Sequence, residues 1–274
     1  MHETITFITR WVNDLLGPAA MALLSWLHVK PENPALPIPQ QVVTGVIVLI
    51  VCTILALVLR SRLSVERPGA MQQIAEGLLT NPIGFGVKDL LEENSGHDAA
   101  RYIPFVGSIS IFILFANLMG AFPNTFLVAP TDDKVVPLAC AVLTFCYFNY
   151  QGTRVLGLGK YLKTYGGGAP WWIAWLIFIV EVISAAARIL SLTVRLWANI
   201  FASDLLIALF LSLFSGAFVW GWERSPVLGA TLSIFAATIP VVFFLLHIFV
   251  SIVQAYVFTI LPSVYLGLAT SEEH

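Results

Sequence analysis

From Ser225 to Ser271 the chain carries no Asp, Glu, Lys or Arg, and this run of 47 residues limits what it can fold into more than any other feature. As one helix it would reach roughly 70 Å at about 1.5 Å per residue, against a hydrocarbon core of about 30 Å. The stretch before it, Trp171 to Trp222, is nearly as apolar and is interrupted only by Glu181, Arg188, Arg195 and Asp204. Pro240 divides the last run so that its first piece is too short for an ordinary span. No polar turn breaks the middle of the earlier run. Two long tilted helices joined by a hairpin around Glu223 and Arg224 are therefore expected. Trp171, Trp172 and Trp175 at one end, with Trp220 and Trp222 at the other, mark interfaces.

The composition agrees. Of 274 residues, 58% are hydrophobic and 11% charged, with a mean hydropathy of +0.86; soluble domains average about 25% charged. An all-α integral membrane protein follows, with about five crossings at 41–59, 102–122, 135–150, 171–222 and 226–270. Residues 1–40 read as an interfacial segment ending in a linker with Pro31, Pro34, Pro37 and Pro39. Residues 41–274 read as a single membrane domain. Met71, Ile74, Ala75 and Leu78 share one helical stripe, and Val87, Leu90 and Leu91 share another after Pro82. Residues 70–93 are thus expected to form short amphipathic helices on the membrane. Met1–Arg10 lacks the basic start of a cleaved signal.

A net charge of −2 without a basic tract excludes a nucleic-acid binder. Cys52, Cys140 and Cys146 lie in apolar runs without metal-ligand spacing. His247 is the only histidine inside an expected span, so haem held by two histidines of this chain is excluded. There is no P-loop. No cofactor or metal site is expected. The loops at 60–101 and 151–170 hold eight Lys and Arg, against four in the N-terminal region, the 123–134 loop and the hairpin tip. That bias places the N-terminus outside and the C-terminus in the cytoplasm.

Arg195 lies 24 residues after Trp171 and 25 before Trp220, near mid-membrane. An arginine there costs at least about 2.5–3.5 kcal/mol to insert and does not lose its proton. Asp204, nine residues on, is about 900° around the helix and faces away. Glu181 lies on the same face but far along the axis. Neither is placed as an i, i+4 partner, so the counter-charge of Arg195 comes from elsewhere; a buried ion pair fixing helix packing is the plainer alternative. Glu181, Arg188 and Arg195 are spaced by sevens, in a polar seam with Ser184, Ser191 and Asn199. The neighbouring small residues Ser184 to Ala187 also suit close helix packing. A turn near Glu223 would set residue i opposite residue 446 − i, bringing Asn199 to His247 and Arg195 to Ser251, flanked by His247 and Gln254. His247 is there either a satisfied core residue or a proton relay.

The stretch Ser191-Leu-Thr-Val-Arg195-Leu-Trp-Ala-Asn199-Ile-Phe-Ala-Ser-Asp204 resembles the signature of subunit a of rotary F-type ATP synthases. His247-Ile-Phe-Val-Ser-Ile-Val-Gln254-Ala-Tyr-Val-Phe is similar to that family's final helix. Asn117-Leu-Met-Gly-Ala-Phe-Pro123 and the terminal Ser-Glu-Glu-His are also similar to family elements. The resemblance covers most of 41–274 and is specific in the last hundred residues. It implies that Arg195 is the stator arginine facing carboxylates of a ring of c subunits. Asn199, Asp204, His247 and Gln254 would line the half-channel from the outer side, with Glu181 near the other path. Arg188, Ser191 and Ser251 would form a supporting polar face. The implied partners are the c ring, the peripheral-stalk b subunits, the rest of the synthase and the lipid bilayer of a bacterial inner membrane. The chain departs from the family in Trp197-Ala198, where Phe-Gly is usual, and in Asp204, where glutamate is common. A proton-coupled secondary transporter using Arg195 to bind an anionic substrate is the main rival, but no internal repeat is present. A purely structural anchor would leave the polar cluster without a reason.

Overall fold

A computed structural model of the chain describes residues 7–31, 33–64, 68–79, 86–95, 99–120, 128–165 and 171–270. Helices are α1 (Phe7–Trp26), α2 (Gln40–Ser61), α3 (Ala70–Leu79), α4 (Val87–Ser95), α5 (Ala99–Met119), α6 (Val135–Leu156), α7 (Leu158–Tyr165), α8 (Trp171–Arg224) and α9 (Pro226–Thr270), with a 3-10 turn at Pro130–Asp132. No strand occurs among the described residues. Five helices, α2, α5, α6, α8 and α9, contain stretches long and apolar enough to cross a membrane. In an apolar solvent only a helix satisfies its own backbone groups within one segment, which is why each apolar run takes this form.

The five long helices start at Gln40, Ala99, Val135, Trp171 and Pro226. α6 runs on past Tyr150 to Leu156, burying Gln151 and Gly152, and stops at Gly157, whose φ of 78° ends the helix at a position suited to glycine. The expected end of the second span at Phe122, the Pro123 that closes the Asn117 element, the break at Pro82 and the terminal Ser-Glu-Glu-His lie outside the described residues. α9 continues through position 240 as one helix of 45 residues.

The chain divides into two compact units. One comprises Gly45–Phe115, Lys134–Val194 and Gln254–His274. Its core joins Val87 and Leu91 of α4 to Ala99, Tyr102 and Val106 of α5, Phe148 of α6 and Leu266 of α9. The apolar stripe of α4 is thus covered by protein, whereas Met71 and Ile74 of α3 stay open. Phe105 stacks on Tyr147 at 3.7 Å between centroids, and the hydroxyls of Ser110 and Thr259 hydrogen-bond between α5 and α9. At Gly267 the chain passes so close to the Asn94 carbonyl that any Cβ would overlap it.

The other unit comprises Met1–Thr44, Ala116–Asp133 and Arg195–Val253. Here α1 turns Thr9, Asn13 and Gly17 inward, one every four residues. The Asn13 side chain holds both backbone groups of Ile38, at 2.9 and 3.0 Å, and Gly17 lies against Pro37. Trp11, Leu15 and Trp26 point outward. The α8–α9 hairpin closes within this unit: Ser225 donates its N–H to Gly221 and accepts from Gly229, so the turn is one residue long. Phe210 meets Phe243 at 4.8 Å between centroids, in antiparallel register.

Candidate functional site

A buried polar network surrounds His247, which is only 1% exposed. Its Nδ1 lies 2.9 Å from the Ser203 hydroxyl on α8. Its Nε2 lies 3.0 Å from the main-chain oxygen of Asn117, near the end of α5. Asn117 is fully buried, and its Oδ1 accepts a 2.9 Å hydrogen bond from Thr131 in the 3-10 turn. The segment carrying Asp132 and Asp133 therefore folds inward at Thr131 rather than trailing as a polar loop. Gly120 lets the ring sit here: a Cβ on it would come within 3.2 Å of two imidazole atoms. Asp204 is half-buried, close enough to Asp132 for the two carboxylates to repel.

The hairpin register differs from the expected one. His247 meets Ser203, not Asn199, so the opposing residue is near 450 − i rather than 446 − i. The cause is the tip. The helix continues through Glu223 and Arg224 and turns at Ser225, and a two-residue displacement of a hairpin tip displaces the opposing register by four, about one helical turn. Ser251 is fully buried, and its hydroxyl bonds the His247 carbonyl four residues back.

Arg195 and Asn199 belong to the same unit as Asp204, His247 and Ser251. Arg195 is on an exposed face of α8, among exposed Leu190, Val194, Phe201 and Leu205, while Leu192, Leu196 and Ile200 are buried. Glu181, Arg188, Ser191 and Gln254 belong to the other unit. There Arg188 reaches back two helical turns to Glu181 at 2.8 Å, touches Ser184 at 3.3 Å, and lies 5.2 Å over the Tyr265 ring. The seven-residue seam is thus joined by contact from Glu181 to Arg188. Ser191 is exposed and Gln254 half-buried. Sequence reasoning missed Ser203, Thr131 and Tyr265 as site residues; the adjacency of Ser203 to Asp204 was the one available signal. No cluster of three metal-ligating side chains occurs among the described residues.

These features define an all-helical, multi-pass membrane protein with its intramembrane charges gathered on one very long helix and a buried histidine on the next. The family described as ATP synthase A chain matches residues 41–267. The chain is similar to ATP synthase subunit a of Koribacter versatilis, 36% identical with 98% of both chains covered. It is also similar to subunit a of Solibacter usitatus, 37% identical over 96% of this chain and 99% of that one, and of Nitratidesulfovibrio vulgaris, 34% identical over 80% and 81%. The chain belongs to the ATP synthase subunit a family. It is a non-catalytic membrane-sector subunit of the synthase, in the service of proton transport and ATP synthesis.

Proposed function

We propose that the chain is the stator proton path of the synthase. Two offset half-channels deliver and remove protons at carboxylates of a turning c ring, and Arg195 prevents a short circuit between them. Asp204, Asn199, His247 and Gln254 line the outer path. Glu181 lies near the other path, and Arg188, Ser191 and Ser251 form a supporting polar face. Residues 41–274 act as one membrane domain in a bacterial inner membrane, with the N-terminus outside, the C-terminus cytoplasmic, and residues 1–40 at the interface. The b subunits of the peripheral stalk hold it against rotation.

The observation that carries this reading is the exposure of Arg195 on an apolar face of α8. A guanidinium at mid-membrane depth does not face lipid; it faces protein that offers it negative charge. A carboxyl group brought within about 4–6 Å of it has its pKa lowered by about 1–3 units and gives up its proton. The arginine keeps its own proton and repels any that would cross directly. A protonated carboxyl is neutral and turns through lipid, so loading and unloading on opposite sides of Arg195 give rotation a direction.

The test is Arg195→Ala in inverted membrane vesicles. ATP-driven acidification is expected to disappear while the complex assembles, and passive proton permeability after removal of the catalytic head is expected to stay or rise. Normal pumping would return Arg195 to a packing role.

A further inference from the structure

The two nitrogens of His247 are not equivalent. Nε2 faces the main-chain carbonyl of Asn117 at 3.0 Å, and a carbonyl only accepts. Nε2 therefore carries its hydrogen whether the ring is neutral or charged. Nδ1 faces the Ser203 hydroxyl at 2.9 Å, a group that donates to a bare nitrogen and accepts from a protonated one. Resting on the proton-path reading above, we infer that Ser203 is a positioning residue for proton exchange at His247, making Nδ1 the single nitrogen at which the ring takes up and releases a proton.

The surroundings hold the ring in this orientation. Asn117 is itself fixed by Thr131. A Cβ at Gly120 would come within 3.2 Å of Cε1 and Nε2, so the ring has no spare room on that side. When a proton arrives, an N–H bond forms at Nδ1, the ring becomes an imidazolium, and the Ser203 hydroxyl turns from donating to accepting. On release that N–H bond breaks, the proton passes to a carboxylate or water of the proposed path on the α8 side, and the hydroxyl turns back to donate to the bare Nδ1. The Nε2 hydrogen stays on Nε2, donated to the Asn117 carbonyl throughout, so no proton passes through the ring from one nitrogen to the other. Along the chain, the charged residues that flank these contacts most closely are Arg195 and Asp204 on α8 and Asp132 and Asp133 beside Thr131, while Glu181, Arg188, Glu223 and Arg224 lie further along α8 and Arg101 at the far end of α5; α9 carries no Asp, Glu, Lys or Arg. Ser203 immediately precedes Asp204, so the exchanging nitrogen faces the helix that bears the acid.

The experiment follows ATP-driven acidification in inverted vesicles carrying the whole complex with Ser203→Ala, Ser203→Thr or His247→Ala. Catalytic head retained on the membrane reports assembly. General acid–base groups contribute about 100-fold or more, so His247→Ala and Ser203→Ala are each expected to slow pumping at least about tenfold. Ser203→Thr keeps the hydroxyl and is expected to pump within about twofold of wild type, a rescue that simple packing would not give. Wild-type pumping by Ser203→Ala alongside a slow His247→Ala overturns the role of Ser203 and leaves the proton path standing. Wild-type pumping by His247→Ala overturns both. Equal failure of the Ala and Thr variants assigns the effect to size and also sinks the inference. If Ser203→Ala does not assemble, Ser203→Thr against Ser203→Val decides the question, because that pair shares a shape and differs in the hydroxyl.

Discussion

Gly120 is small because His247 is large beside it. A Cβ at that position would stand 3.1 Å from the Ala129 Cβ and 3.2 Å from the imidazole. Gly120→Ala is expected to destabilise by about 1–3 kcal/mol through overpacking and to slow pumping by moving the ring off Ser203. Thermal unfolding of the purified complex and vesicle acidification check the two effects separately; unchanged values in both would mean that the ring is not wedged. At this scale the sequence is legible for some residues and opaque for others. A histidine or arginine in an apolar run stands out because the bilayer makes it expensive. A serine does not stand out, since its hydroxyl commonly bonds its own helix backbone, as Ser251 and Ser263 do here. Ser203 differs only in meeting a partner 44 residues away, which sequence spacing does not reveal.

The hairpin shows what kind of knowledge an element needs. That α8 and α9 are long, helical and antiparallel follows from hydropathy and one short polar break. Their register follows from where the chain turns, and Glu223, Arg224 and Ser225 are all polar enough to mark the place. Pro226 can occupy the first turn of a helix because its missing N–H has no intrahelical partner there, so the tip tightens onto Ser225. Gly221 and Gly229 flank this turn in close contact. A Cβ on Gly229 would overlap the Trp222 indole, whereas one on Gly216, further along α8, would meet nothing within 4 Å. The same substitution should therefore have opposite signs at the two sites. Gly216→Ala is expected to stabilise by about 0.5–1 kcal/mol through helix propensity. Gly229→Ala is expected to cost about 1–3 kcal/mol through overpacking. Melting temperatures of the two variants compared with wild type decide it, and a stabilised Gly229→Ala would contradict the packed tip.

At the scale of the whole molecule, the proposed orientation combines an odd number of crossings, which would set the two ends on opposite sides, with the Lys and Arg bias, which would choose the side. Span number and charge bias are legible in the sequence, because they depend on counts and lengths rather than on contacts. What sequence does not supply is the division into units, since each unit is gathered from three separate stretches of chain. Orientation is testable without reference to either unit. Leu158, 65% exposed at the start of α7, and Val227, 72% exposed just after the hairpin turn, are separated along the chain by α8 as the one intervening span. In the proposed orientation Leu158 faces the cytoplasm and Val227 the outside. Cysteines placed singly at these positions, with Cys52, Cys140 and Cys146 replaced, are expected to react with a membrane-impermeant maleimide from opposite faces. Val227→Cys should label in right-side-out membranes and Leu158→Cys in inverted ones. Labelling of both from one face would mean that α8 does not cross. The reverse pattern would keep five crossings and invert the chain, placing the Asp204 end of α8 on the cytoplasmic side and exchanging the outer and inner half-channels around Arg195.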